Sequence, residues 1–350
     1  MLKYIRGSLI ITVIGLGLAM GFEWYQTGST SHMLQAGFTA LILAVLEISL
    51  SFDNAVVNAT VIKKMDEVWK RRFLTWGILI AVFGMRLVFP LAIVAIIAHI
   101  NPVEALMLSL NDPAKYAELM TSAHITVSAF GGMFLFMVFL HYFMNEDKEE
   151  HWIHIIEKPL VMVSQYKGVE IIVALVSLLA ITSLMAAPDQ IRFLVPGLWG
   201  MITYLIVHSF SDFLESMELT RDANLMAKKT MMSAGFGMFM YLEILDASFS
   251  FDGVIGAFAI TQSLVQIMIG LSIGAFFVRS LTLYLVEKDT LGQIRFLEHG
   301  AFYALGALSM MMLLDYFFHI PEWLTGLTGA AILAVSILWS FYVDRKGRNT

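Results

Sequence analysis

Leu46-Glu47-Ile48-Ser49-Leu50-Ser51-Phe52-Asp53-Asn54 sets two carboxylates inside an apolar stretch, and the chain repeats the pattern. Leu245-Asp246-Ala247-Ser248-Phe249-Ser250-Phe251-Asp252-Gly253 aligns with it without a gap. Each copy has an acid, a serine four residues later, and then Phe-Asp. With Glu243, five acids stand in two strongly apolar segments. An ionisable side chain at bilayer depth costs at least ~2.5–3.5 kcal/mol, so five unpaired acids would cost on the order of 10 kcal/mol, as much as a typical fold is stable. Something must compensate for them.

The surroundings of both motifs have a membrane composition. Of 350 residues, 58% are hydrophobic and 14% charged, with mean hydropathy +0.76, too apolar for an ordinary soluble domain. A helix crossing the hydrocarbon core needs about 20 apolar residues. Ten segments qualify, near 8–25, 34–62, 73–100, 124–145, 169–187, 190–215, 230–262, 264–286, 300–319 and 322–342. The expected fold class is all-α, a polytopic membrane helix bundle. The first segment follows Lys3 and Arg6 but no small-residue cleavage site follows it, so it is expected to remain a span.

Basic residues collect in cytoplasmic loops. With the N-terminus cytoplasmic, eighteen of the 22 lysines and arginines fall on that side, and both termini do. Most tryptophans fall near segment ends, as interfacial belts predict. The chain has no cysteine, which removes disulfides and thiolate metal sites, and its 23 methionines are scattered through apolar segments as packing residues. The net charge of −6 comes largely from connections such as 145–150, read as a solvated loop.

The repeat extends beyond the acids. The segment after each motif carries a glycine and, nine residues on, a buried arginine: Gly77 to Arg86, and Gly270 to Arg279. More weakly, Gly132 and His141-Tyr142-Phe143 align with Gly306 and Asp315-Tyr316-Phe317. The unit is five helices used twice, 1–189 (with an acidic cytoplasmic loop at 146–168) and 190–350. Because five is odd, the second copy enters the membrane in the opposite sense, an inverted-topology pair of the kind secondary transporters use.

At 100° per residue, Glu47, Ser51, Asn54 and Asn58 form one polar stripe, while Asp53 lies about 120° away from Glu47. The same six-residue spacing separates Asp246 from Asp252. An unwinding near Ser-Phe-Asp in both repeats would bring all four acids to one cavity, and irregular backbone is tolerated at depth where it lines a cavity. Glu47, Asp53, Asp246 and Asp252, assisted by Glu243, with Ser51, Asn54 and Ser250 as neutral ligands, would make a hard-oxygen site for Mg²⁺, Ca²⁺ or Mn²⁺. Arg86 and Arg279 would compensate the carboxylates, either as fixed ion-pair partners or when the metal is absent. His208, Asp212 and Glu215 read as a wet helix end, and His141 and Asp315 as hydrated span ends. His99, His124, His151, His154, His299 and His319 are assigned no ligand role.

On Leu46-Glu47, Ser51-Phe52-Asp53-Asn54, Asp246 and Phe249-Ser250-Phe251-Asp252 the sequence resembles the TerC-type integral membrane family, within a wider group of LysE-like exporters. The likeness covers the second to fourth and seventh to ninth segments, roughly half the chain. It implies metal-ion homeostasis, manganese efflux above all, a link to tellurium resistance, and a multi-pass place in a bacterial cytoplasmic (inner) membrane. Gly253 departs from the serine usual in that family and removes a hydroxyl ligand. The chain would then be a divergent branch.

The expected function is a secondary transporter, an exporter of a divalent cation such as Mn²⁺ exchanging it for protons. The cation is substrate; no cofactor, no enzymatic activity and no nucleic-acid partner is expected, and the lipid bilayer surrounds it. No Gly-x-x-x-x-Gly-Lys-[Ser/Thr] occurs, which argues against direct ATP-driven pumping. Two other classes compete. One is a scaffold or sensor that holds a soluble stress-response protein on the 146–168 loop; the other is an intramembrane hydrolase with an Asp53/Asp252 dyad. Homo-oligomerisation is open.

Overall fold

The structure is a computed structural model that describes residues 2–144, 151–166, 168–219, 227–288 and 294–347. Every regular element among them is helical. In chain order these are α1 (Leu2–Thr27), α2 (Thr30–Leu50), α3 (Phe52–Lys64), α4 (Glu67–Arg72), the π-helical turns Phe73–Gly77 and Ile80–Val88, α5 (Phe89–Ala98), α6 (Pro102–Asn111), α7 (Pro113–Ser122) and α8 (His124–Phe143). They continue as α9 (His154–Ser164), α10 (Val169–Leu184), α11 (Ala187–Leu219), α12 (Ala227–Ile260), α13 (Leu264–Glu287), α14 (Leu297–Phe318) and α15 (Glu322–Gly347). Among the described residues eight helices are long and apolar enough to cross a membrane. The other two expected segments also hold helices, the shorter apolar α10 of 16 residues and the acid-bearing α12 of 34.

Helices of the two halves interleave. α13 lies along α2, α3 and α1, α12 along α11, α8 and the π segment, and α14 along α8, α15 and α3. One close contact among these is written in the sequence as Gly270-Leu271-Ser272-Ile273-Gly274. A side chain at Gly270 would come within 2.6 Å of the Leu43 Cβ, and one at Gly274 within 2.5 Å of the Glu47 Cβ and 2.8 Å of the Ala44 carbonyl oxygen. Lipid offers helices no hydrophobic drive to associate, so small residues four apart, here Gly270 and Gly274 against Ala40 and Ala44, supply the close van der Waals fit. That contact fixes the depth of Glu47.

The expected interruption is present in the first repeat and absent from the second. α2 ends at Leu50, Ser51 takes φ −104° and ψ 16°, and α3 begins at Phe52. α12 runs unbroken through 245–253. One physical difference is that α2 and α3 are pinned on both sides of Ser51, by α13 and by Gly326 of α15 against Leu50, which permits a bend there.

Two further departures concern connections. The stretch 101–123 contains α6 and α7, each opened by a cap before proline: Asn101 in a capping box with Glu104 ahead of Pro102, and Asp112 ahead of Pro113. In the 146–168 loop, residues 145–150 and 167 lie outside the described residues, but α9 is built into the bundle. Glu157 is fully buried and accepts hydrogen bonds from the Trp152 and Ile153 amides (3.2 and 3.0 Å) and the Tyr303 hydroxyl (3.1 Å). His151 Nδ1 also sits 3.1 Å from it.

Candidate functional site

The stripe read from the sequence lines one cavity. Glu47, Ser51, Asn54 and Asn58 from α2 and α3 face Arg86 of the π segment, Asp246 of α12 and Arg279 of α13 around a space of about 50 Å³. All four stripe residues and Arg86 are buried. Space of that size admits an ion with at most a few waters, since one water needs ~10–15 Å³ of such volume.

Each repeat brings its own arginine. Arg86 Nη2 forms a buried ion pair with Glu47 Oε1, while its Nη1 donates to the Ala81 carbonyl five residues back, a reach set by the wider π winding. Ser51 Oγ donates to the same Glu47 oxygen at 3.2 Å. Arg279 Nη1 donates to the Phe73 carbonyl at 3.0 Å and stands within electrostatic range of Glu243 and Asp246. Asp246 Oδ1 accepts from Asn54 Nδ2 at 2.6 Å, a bond that ties the two repeats together.

Two buried oxygens of the cavity wall, Asn54 Oδ1 and Asn58 Oδ1, have no hydrogen-bond partner, and neither do Glu243 Oε1 and Ser250 Oγ elsewhere on α12. Unsatisfied buried polar atoms cost on the order of 1–3 kcal/mol each, and the Asn54 and Asn58 oxygens that line the cavity could be satisfied by a water or a cation. Among the described residues, however, no three His, Cys, Asp or Glu converge closely enough to hold a metal ion unaided. Any cation here would draw on amide and hydroxyl oxygens and would compete with Arg86 for Glu47.

Of the sequence-derived residues, Glu47, Ser51, Asn54, Asp246, Arg86 and Arg279 are brought together, and Glu243 approaches from beside Gly77, whose absent side chain would lie 2.9 Å from Glu243 Oε1. Asp53 is not among the cavity's lining residues. It is buried with Oδ1 accepting from the Asn54 amide and Oδ2 against Gly329 of α15, beside Ala304 of α14. The interruption at Ser51 does not bring Asp53 into the cavity lining. Ser250 is buried, and the side chain of Asp252 lies outside the described ones, as do those of Asp212 and Glu215. Gly253 matters sterically, because a Cβ there would stand 3.1 Å from Glu47 Oε2, so its bareness leaves that carboxylate room.

Sequence reasoning missed two groupings. Glu157 gathers His151, Tyr303 and, at 3.9 Å, His299, and the capping amides of α9 were the only local signal for it. His124 is not a lone histidine: its Nδ1 lies 3.2 Å from Asp315 Oδ2. The matched spacing from Gly132 to His141 and Gly306 to Asp315 hinted at Asp315, but nothing local marked its partner.

Fold and cavity together define a multi-pass helical membrane protein with a buried, charged centre. The family model described as a protein of unknown function, DUF475, matches residues 52–347, and the chain belongs to that family. The match includes Asp53, Arg86, Asp246 and Arg279 and begins after Glu47. No curated protein and no solved structure matches the chain.

Proposed function

We propose that this protein is a secondary transporter of a hard divalent cation, Mn²⁺ foremost, acting as an exporter in a bacterial cytoplasmic membrane. The observation that carries the reading is the cavity in which Glu47, Ser51, Asn54 and Asn58 face Asp246 between two arginines, with the Asn54 and Asn58 amide oxygens buried and unpartnered. Oxygen ligands of this kind select Mg²⁺, Ca²⁺ or Mn²⁺ over softer ions. Arg86 neutralises Glu47 in the described state, and a cation reaching Glu47 would displace it, which gives the empty carrier a charge-balanced form. Protons exchanged at the remaining carboxylates would supply the coupling.

The ten-helix, inverted-repeat topology with both termini cytoplasmic belongs to the same proposal. Reciprocal packing supports it: α2 meets α13 as α12 meets the π segment, and Gly270 faces α2 as Gly77 faces Glu243 on α12. The TerC-type relationship rests on the two acid motifs.

The test is ion-resolved uptake into liposomes containing the purified protein, with Mg²⁺, Ca²⁺, Mn²⁺ and Zn²⁺ compared. Transport of a hard divalent ion above that of empty liposomes supports the reading; equal leakage for all four sinks it. A scaffold reading draws on α9, which exposes Ile155 and Met162, with Tyr166 exposed just beyond its end, while Glu157 anchors the helix. Deleting 152–166 would spare metal flux if α9 serves a soluble stress-response partner. The hydrolase dyad gains no support, since Asp53 points to Gly329.

A further inference from the structure

A second cavity, of about 220 Å³, opens between the start of α8, the end of α14 and the start of α15. A few polar side chains stand on facing walls of an otherwise largely apolar space. His124 and Ser128 stand four apart on α8, and Met311 and Asp315 four apart on α14, so each pair lies on one face and the two faces oppose each other. Asp315 is held in place: Oδ1 accepts the Ile320 amide at 2.7 Å, and Oδ2 meets His124. At the inner end Ser128 is 3% exposed, lines the cavity, and its hydroxyl has no hydrogen-bond partner. A buried hydroxyl left so costs about 1–3 kcal/mol, which a polar occupant would recover.

The position of this cavity relative to the central one is set by α12. Asp246 lines the central cavity and Ile255 lines the second. Nine residues turn a helix by about 900°, which places the two on opposite faces roughly 13 Å apart along the axis. Near the inner end, Gly131 has no side chain, and a Cβ there would lie 3.5 Å from the Ser248 carbonyl oxygen, so α8 touches α12 within the second acid motif. One helix therefore separates the two cavities.

We propose that the second cavity is an access station for a divalent cation that keeps much of its hydration shell, with Asp315 as the charged anchor and Ser128 as the inner hydroxyl contact. This rests on the transporter reading of the central cavity. Size divides the roles: a volume of about 220 Å³ takes an ion with several waters, while the central space of about 50 Å³ requires most of them to be shed. Since no three acid or histidine side chains converge among the described residues, water-mediated contact is the mode the walls permit.

The chain has no cysteine, so single thiols report cleanly. Ser128→Cys in the full-length protein in liposomes is labelled with a membrane-impermeant methanethiosulfonate, with and without Mn²⁺, and Mn²⁺ flux is measured in the same vesicles. The expected result is labelling from the side bearing 101–122 only, slowed about tenfold by Mn²⁺ at roughly ten times its dissociation constant, and no slowing when Asp315→Asn is added. Thr325→Cys, at the half-exposed mouth, repeats the protection assay if Ser128→Cys does not fold. Labelling unaffected by Mn²⁺ while flux persists overturns the station and leaves the transporter reading intact. Protection that survives Asp315→Asn also overturns it. Protection without flux upholds a cation site here and removes the central reading.

Discussion

Glu47 and Asp246 occupy the same place in their motifs but live in different surroundings. Glu47 lies one residue turn before the bend at Ser51, buried and ion-paired with Arg86. Asp246 sits on an unbroken helix, is partly exposed to the cavity, and accepts from Asn54, while its repeat's arginine gives a hydrogen bond to the Phe73 carbonyl. The asymmetry shows that two matched sequence motifs need not adopt matched states. One carboxylate is held closed by an internal cation, and its counterpart is left facing an amide.

The largest expected effect separates those two arginines. Arg86→Leu strands Glu47 in the interior and should destabilise the protein by about 3–5 kcal/mol, read as a clear drop in thermal unfolding temperature in detergent. The double change Glu47→Leu/Arg86→Leu should recover most of that loss, because the pair's cost of desolvation goes with it. Equal instability of single and double variants would show that the stranded Glu47 charge is not the source of the loss. Arg279→Leu should cost less, about 1.5–3 kcal/mol, chiefly the bond to Phe73.

Next comes the packing that places Glu47. Gly274→Leu forces a side chain into α2 and should cost about 1–3 kcal/mol, with the Glu47–Arg86 pair disturbed as well. Gly17→Ala on α1, where nothing lies within 4 Å, is the matched control and should be neutral or mildly stabilising. A Gly274 variant as stable as the control would refute the close-contact account of the α2–α13 seam.

The smallest effect sharpens the comparison most finely. Gly253→Ser puts a Cβ 3.1 Å from Glu47 Oε2 and adds a hydroxyl one bond beyond it. Stability should fall by about 1 kcal/mol, the low end for overpacking a tight contact, while the order of ions in a competition assay should shift. An unchanged order would remove Gly253 from the selectivity argument.

Much of this arrangement was legible in the sequence, for definable reasons. Apolar length found the spans, and the 3.6-residue stripe Glu47, Ser51, Asn54, Asn58 survived into the cavity because a single bend hardly alters helical phase over that length. Asp53 was misplaced by the same rule: its helical angle is readable from spacing, but where the chain goes after the interruption at Ser51 is set by packing, and there Asp53 meets Gly329 instead of the cavity. The π winding around Arg86 follows no 3.6-residue pattern, so its reach to Glu47 could be expected only from charge complementarity. α6 and α7 carried Asn-Pro and Asp-Pro caps that a search for 20-residue spans passes over. The pairs His124–Asp315 and Tyr303–Glu157 join residues more than a hundred positions apart, and only tertiary packing brings them together.

The central claim is that Asp246 is the carboxylate left available to a cation. Mn²⁺ uptake into liposomes, wild type against Asp246→Asn at equal reconstituted protein, tests it most directly. Asn keeps the shape and removes the charge, so the account predicts a folded protein whose uptake falls to that of empty liposomes. Asp246→Asn carrying Mn²⁺ as fast as wild type would contradict it.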